Sequence, residues 1–82
     1  MTRVTVTDPV FRSVGYDADD QTMEVTFRDG RVLLYRGVPM AIYNHFMRAN
    51  QRADTTMEAY YRTVIDGQFP AREIRPARAA AV

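Results

Sequence analysis

The segment MEVTFRDGRVLLY, residues 23–35, decides the fold of this chain. Apolar and polar residues alternate before Asp29, and a second β-prone run follows Gly30, which is typical of two antiparallel strands joined by a tight turn. Glycine accepts the positive φ that a two-residue type I′ turn requires. We therefore predict a β-hairpin in which Asp29 and Gly30 alone form the turn.

The predicted turn also sets the pairing of the two strands. Residues that lie opposite each other in an antiparallel pair share one face of the sheet. The predicted core face carries Met23, Val25, Phe27, Val32 and Leu34. The predicted outer face carries Glu24, Thr26, Arg28, Arg31, Leu33 and Tyr35. A simple core does not require an aromatic side chain flanked by arginines on its outer face, so we interpret that face as a candidate binding surface.

The segments around the hairpin predict one more strand and two helices. Residues 10–16 are β-prone, with Val10, Val14 and Tyr16 on one face. Pro39 suits the first position of a helix, and the apolar residues after it recur at helical spacing. A capping box at residues 55–58 opens a second apolar helical stripe. We predict an α+β fold in which a three-stranded antiparallel β-meander is followed by two α-helices packed on one sheet face (β-β-β-α-α).

Length and composition bound the organisation and the function. A chain of 82 residues makes one domain. We assign it to residues 8–74, with an N-terminal extension or edge strand over residues 1–7 and a flexible C-terminal tail over residues 75–82. The chain has no cysteine, which excludes disulfides and thiolate metal sites. It also lacks a signal-like or bilayer-spanning apolar run. We expect a soluble, cytoplasmic protein with no metal, cofactor or membrane partner.

Catalytic residue types are scarce in this chain. Its one serine, Ser13, and its one histidine, His45, stand in no triad or nucleophile-elbow pattern. We therefore expect a protein that binds rather than an enzyme. The net charge is only +1, although residues 41–82 carry six arginines against four acidic residues. An anionic partner would therefore meet the C-terminal half of the chain.

Four motifs in order resemble the KTSC domain, a family named for its place at the C-terminus of some lysyl-tRNA synthetases. They are SVGYD at residues 13–17, the hairpin MEVTFRDG at residues 23–30, YRGVP at residues 35–39, and the paired tyrosines with the Phe-Pro that follows them within residues 60–74. The chain departs from the family where Leu33 replaces the first aromatic of a Y-x-Y motif. The resemblance implies the α+β fold, occurrence as a stand-alone bacterial or phage protein, and contact with RNA.

These observations give one predicted site and three hypotheses for its partner. The predicted site for nucleic acid or another partner comprises Arg31, Leu33, Tyr35, Arg36, Arg62, Arg72 and Arg75. Its aromatic and arginine side chains suit RNA, because they stack on bases and contact phosphates. They equally suit a protein partner, such as the host polymerase, nuclease or defence enzyme that a phage- or mobile-element-encoded inhibitor would bind. The third hypothesis is a homo-oligomer formed through a sheet edge. The alternative to a binding site is that the C-terminal tail or another subunit covers Tyr35. In that case the arginines only keep the protein soluble.

Overall fold

The computed structural model describes residues 2–49 and 56–74, which form an antiparallel sheet with helices on one face. The strands lie side by side in chain order, and the helices are inserted before the last strand. They are β1 (Thr2–Thr5), β2 (Phe11–Asp17), β3 (Thr22–Phe27), β4 (Val32–Tyr35) and β5 (Ala71–Ile74). The α+β class is confirmed. The predicted three-stranded meander corresponds to β2, β3 and β4, but the predicted strand number is wrong because the described residues form a five-stranded sheet.

The two additional strands are short edge strands. β1 occupies much of the predicted N-terminal extension and pairs with β2, while β5 pairs with β4. All four residues of β5 are exposed. An edge strand of this kind buries little apolar surface, so its sequence need not show the alternation that marks a central strand. The predicted tail, residues 75–82, lies outside the described residues.

The helices follow the predicted order. α1 covers Met40–Ala49, and α2 covers Met57–Tyr60 and continues directly into a π-helical turn over Tyr61–Ile65. The Thr56 hydroxyl accepts a hydrogen bond of 3.1 Å from the Ala59 N–H and so caps α2. The capping-box pattern predicts the cap one residue earlier, at Thr55, which lies outside the described residues. The π-helical turn is closed by the Asp66 N–H, which donates to the Tyr61 carbonyl over 2.7 Å.

The hairpin loop contains three residues rather than two. The Phe27 N–H donates to the Arg31 carbonyl over 2.8 Å, so Arg28, Asp29 and Gly30 form the loop. Gly30 has a φ of +99°, whereas Asp29 does not have the positive φ that a type I′ turn requires. A three-residue loop needs a left-handed residue only at its last position, which is the position that glycine occupies here. The predicted two-residue turn is therefore wrong.

The longer loop shifts the strand pairing by one residue. Met23 lies opposite Tyr35 and Val25 opposite Leu33, in place of the predicted partners. Because side chains alternate between the faces of a sheet, this shift turns every side chain of β4 over. Leu33 and Tyr35 therefore face the helices, and Leu34 points away from them.

Aromatic rings fill the space between the sheet and the helices. Phe11 has no exposed surface, and its ring centroid lies 5.2 Å from that of Phe27, 5.3 Å from Phe46 and 5.4 Å from Tyr61. These distances fall in the range of favourable edge and tilted ring contacts. β2 reaches this arrangement through a register shift between Phe11 and Ser13. This bulge places the Phe11 side chain in the core. Without the bulge, regular alternation from Val14 would place Val10 there instead.

Two tyrosine hydroxyls meet inside this core. The hydroxyl oxygens of Tyr35 and Tyr61 lie 2.5 Å apart, and the two side chains are 1% and 9% exposed. Each hydroxyl satisfies the other, so neither is buried without a hydrogen-bond partner. Burial raises the pKa of Tyr35, with a further contribution from the hydrogen bond to Tyr61. Burial likewise raises the pKa of Tyr61.

We expect the free energy of unfolding to decrease as the pH rises above about 10, the ordinary pKa of tyrosine. The unfolded chain loses the Tyr35 and Tyr61 protons there, while the folded state retains them because both folded pKa values are raised. The stabilisation is complete below pH 10 and declines by up to about 1.4 kcal/mol per pH unit for each retained proton. Urea unfolding near neutral pH and above pH 10 measures the slope. Tyr35→Phe should lower it, and an unchanged slope would contradict the assignment.

Candidate binding surfaces

The residues of the predicted site lie on two opposite sides of the sheet. Leu33 lies on the helix-facing side, and Arg36 and Arg72 belong to the opposite side. Arg31 and Arg62 line a groove between the hairpin loop and the second helix. Arg75 lies outside the described residues.

Tyr35 does not belong to an exposed binding surface. The prediction placed it on the outer face of the hairpin, but its side chain is 1% exposed and packs against Tyr61 with a centroid separation of 6.2 Å. The physical reason is the three-residue loop, which turns β4 over by one residue. Tyr35 is therefore a core residue, and the covering element is the second helix.

We use the term outer face for the side of the sheet that points away from the helices. Its centre near β5 combines aliphatic side chains with arginines. Leu34 pairs with Arg72, and Val32 pairs with Ile74, which is 36% exposed. Two shallow cavities, of about 500 and 290 Å³, are both lined by Leu34 and Arg36. The larger cavity is also lined by Asp17 and Asp20. The centre of the outer face is thus an apolar patch bordered by two arginines, with two acidic side chains beside Arg36.

The outer face also carries an ion pair across three strands. Arg3 and Glu24 both lie opposite Gly15, which has no side chain to separate them. The Arg3 Nε–H donates to one Glu24 carboxylate oxygen, and its Nη2 lies 3.3 Å from the other. The hydrogen bond that Arg3 donates to Glu24 and the negative charge of Glu24 raise the pKa of the Arg3 guanidinium. Arg3 is therefore neutralised locally by Glu24.

Arg36 and Arg72 form no ion pair with another residue within the described ranges 2–49 and 56–74. In the same part of the chain, no aromatic side chain lies on the outer face, because the rings belong to the core or pack against it. Within the described residues, the outer face therefore offers cationic, acidic and aliphatic contacts, without a ring on which a base could stack.

The second surface is the hairpin groove, defined by Phe27, Arg31, Leu33, Glu58, Tyr61 and Arg62. It is a cavity of about 520 Å³ on the helix side of the sheet. Its apolar surface comes from the hairpin and Tyr61, and its charged side chains come from the loop and the second helix. The sequence predicts Arg31, Leu33 and Arg62 as site residues. It does not predict that they line one cavity together with Tyr61.

The described part of the chain brings together no group of residues that suggests a metal site, and its one serine and one histidine lie apart. Ser13 lies on the outer face of β2 and His45 on the exposed side of α1, so the sheet separates them. Among residues 2–49 and 56–74, no three His, Cys, Asp or Glu side chains are placed to share a metal ion. None of the described helices is long and apolar enough to cross a bilayer.

Comparison with known proteins identifies relatives of this chain. The family model for the KTSC domain matches residues 9–69. The crystal structure of a KTSC domain protein from Yersinia pestis superposes with a TM-score of 0.78 and 30% sequence identity, covering 89% of this chain and 96% of that one. A search of curated proteins found no match.

Proposed function

The chain belongs to the KTSC domain family, and on that premise we propose that it is a non-catalytic module that binds a protein through its outer face. The partner surface that would fit has an apolar centre with acidic side chains around it. The observation that supports this proposal is the position of Leu34, which lies between Arg36 and Arg72 and contributes to both outer-face cavities.

The composition of the outer face favours a protein over other partners. Interface hot spots combine a desolvated apolar centre with arginines that pair with partner carboxylates. Leu34 and the neighbouring Ile74 supply the apolar contact, and the two arginines have no ion pair to break within the described residues before they bind. An inhibitory role against a host polymerase, nuclease or defence enzyme stays a prediction, which identification of the partner would test.

RNA is the second candidate, and the unpaired charges of Arg36 and Arg72 favour it. Cationic side chains on a flat sheet contact phosphates, and the affinity then falls steeply with salt. The burial of Tyr35 removes the aromatic platform on which the RNA hypothesis relied, because single-stranded RNA modules stack bases on exposed rings. The outer face can then contact phosphates but cannot stack on bases. It therefore fits RNA less well than it fits an acidic protein surface.

The test of the proposed function compares capture by wild type with capture by charge-reversal variants. We expect the wild-type protein to retain a protein from nuclease-treated host lysate and to bind that purified protein directly. Arg36→Glu and Arg72→Glu should each weaken this binding about tenfold or more, because reversal replaces an attraction at the interface with a repulsion. Arg48→Glu is the matched control, since Arg48 is an exposed arginine on α1, on the other side of the sheet.

Each outcome of this comparison decides between the candidates. Binding that both outer-face variants lose and Arg48→Glu keeps, with all circular dichroism spectra unchanged, supports the protein-binding proposal. Capture that disappears with nuclease and releases RNA from the untreated sample would replace it with the RNA candidate. Equal losses in all three variants, or no species that depends on Arg36, would contradict an outer-face site.

A further inference from the structure

The hairpin groove lies on the helix side of the sheet, away from the outer face, and nothing in the proposed function uses it. Its volume of about 520 Å³ falls within the range of small-molecule sites. Phe27, Leu33 and Tyr61 supply apolar surface, and Arg31 and Arg62 supply charge from two different elements. The groove is also lined by Arg28, Asp29, Glu58 and Asp66, so its charged lining consists of three arginines and three carboxylates. Apolar surface beside charged side chains suits a ligand that is partly apolar and partly charged.

Arg31 is held in a defined position at the edge of this groove. Its guanidinium carbon lies 4.6 Å from the centroid of the Phe27 ring, the geometry of a cation–π contact. Its Nε–H donates to the Asp29 carboxylate over 3.0 Å. A guanidinium has five N–H donors, so donors remain for a ligand. Because the ring and the carboxylate already restrict the side chain, binding would immobilise little additional freedom.

Within the described residues, Arg62 has one ion-pair partner, which is exposed and weakly held. Its Nη2 lies 2.7 Å from the Glu58 carboxylate, one helical turn earlier, and the two side chains are 72% and 41% exposed. Pairs of this kind contribute little because solvent screens them. An anionic ligand can therefore displace Glu58 from Arg62 at small cost.

The backbone at the groove is also unusual. Tyr61 and Arg62 open the π-helical turn, and Tyr61 is hydrogen bonded to Tyr35 beneath it. π-helical turns are rare and occur frequently at functional sites. Here the turn includes both Tyr61 and Arg62, and the buried hydroxyl pair holds Tyr61 in place.

We propose that the hairpin groove is a second site, which binds a small molecule that carries one carboxylate or phosphate group on an apolar body. The anionic group lies between Arg31 and Arg62, and the apolar body lies against Phe27, Leu33 and Tyr61. Asp66 also lines the groove, and its negative charge disfavours a ligand with a second anionic group beside it. Binding here is independent of the outer face, so either proposal can fail without the other.

The experiment is an NMR titration of the whole chain with phenyl phosphate, with benzoate, and with benzyl alcohol as a neutral probe of similar size. We expect saturable shifts of the Arg31 and Arg62 Nε–H signals with at least one anionic probe, at a dissociation constant of about 1–10 mM, typical of a ligand of this size. Benzyl alcohol should bind more weakly. Saturation with phenyl phosphate alone identifies the phosphate as the preferred group, and saturation with benzoate alone identifies the carboxylate.

Three variants of matched size test the roles of the charges. Arg62→Gln should weaken binding about tenfold, because it removes a charge-assisted hydrogen bond. Glu58→Gln should strengthen binding, because it removes the group that competes for Arg62. Arg48→Gln removes the same charge as Arg62→Gln at a distant position and should leave the affinity unchanged. Shifts that do not saturate, equal binding of benzyl alcohol, or equal losses in the two arginine variants would overturn the proposal.

Discussion

Replacing Tyr35 by alanine is expected to destabilise the protein strongly. The side chain is 1% exposed, lies opposite Met23 across the strand pair, and shares its hydroxyl hydrogen bond with Tyr61. Truncating a large buried aromatic side chain costs about 3–5 kcal/mol. A domain of this length has a total stability of about 4–12 kcal/mol. Tyr35→Ala should therefore remove about a quarter of that stability or more.

Urea unfolding followed by far-ultraviolet circular dichroism measures this loss. Tyr35→Phe is the matched control, because it keeps the ring and removes only the hydroxyl. It should cost about 1–3 kcal/mol, since it leaves the buried Tyr61 hydroxyl without its partner. Tyr35→Phe combined with Tyr61→Phe should cost less than the sum of the single changes, because the second change removes the unpaired group.

The same variant distinguishes the two possible registers of the hairpin. If Asp29 and Gly30 alone formed the turn, Tyr35 would lie on the outer face and its loss would change binding without unfolding the protein. A Tyr35→Ala protein with an unchanged urea midpoint would therefore contradict the three-residue loop. If the urea midpoint of Tyr35→Ala decreases strongly, a loss of binding by this variant reflects its lower stability and does not identify a binding surface.

The hairpin shows which part of the fold the sequence could predict. Alternation along residues 23–27 identifies β3 and its buried face, because a half-buried strand requires that pattern. The β4 residues Val32, Leu33 and Leu34 are all aliphatic, so the sequence does not reveal which of them faces the core. Only the turn can decide, and Asp-Gly suits both a two-residue and a three-residue loop. A difference of one residue in the length of the loop therefore decides whether Tyr35 is predicted to lie on a binding surface or in the core.

The candidate surfaces depended on pairings that local patterns do not reveal. The outer-face patch forms because β5 returns beside β4 after two helices, which brings Arg72 opposite Leu34. The hairpin groove forms because the second helix and the hairpin bring Arg62 and Arg31, which follows the loop directly, to one cavity. Both are contacts between residues far apart in sequence. The sequence identified most of the arginines, whereas their division between two surfaces required the three-dimensional arrangement.

Replacing Phe11 by alanine is expected to have an effect at least as large as that of Tyr35→Ala. Phe11 has no exposed surface, and its ring contacts rings from β3, α1 and the second helix. Its removal leaves a cavity at the junction of the sheet and both helices, where no single element can move to fill it. The expected cost is about 3–5 kcal/mol, measured by the same urea unfolding experiment.

Val10→Ala is the matched control, and the comparison tests the bulge in β2. Regular alternation from Val14 would bury Val10 and expose Phe11, whereas the register shift after Phe11 reverses their places. Val10 is only partly buried, so its truncation should cost about 1 kcal/mol. A larger loss from Val10→Ala than from Phe11→Ala would contradict the bulge. A larger loss from Phe11→Ala than from Val10→Ala would show that the inserted residue lets Phe11 and Val14 face the same core. Through these contacts β2 packs against both helices.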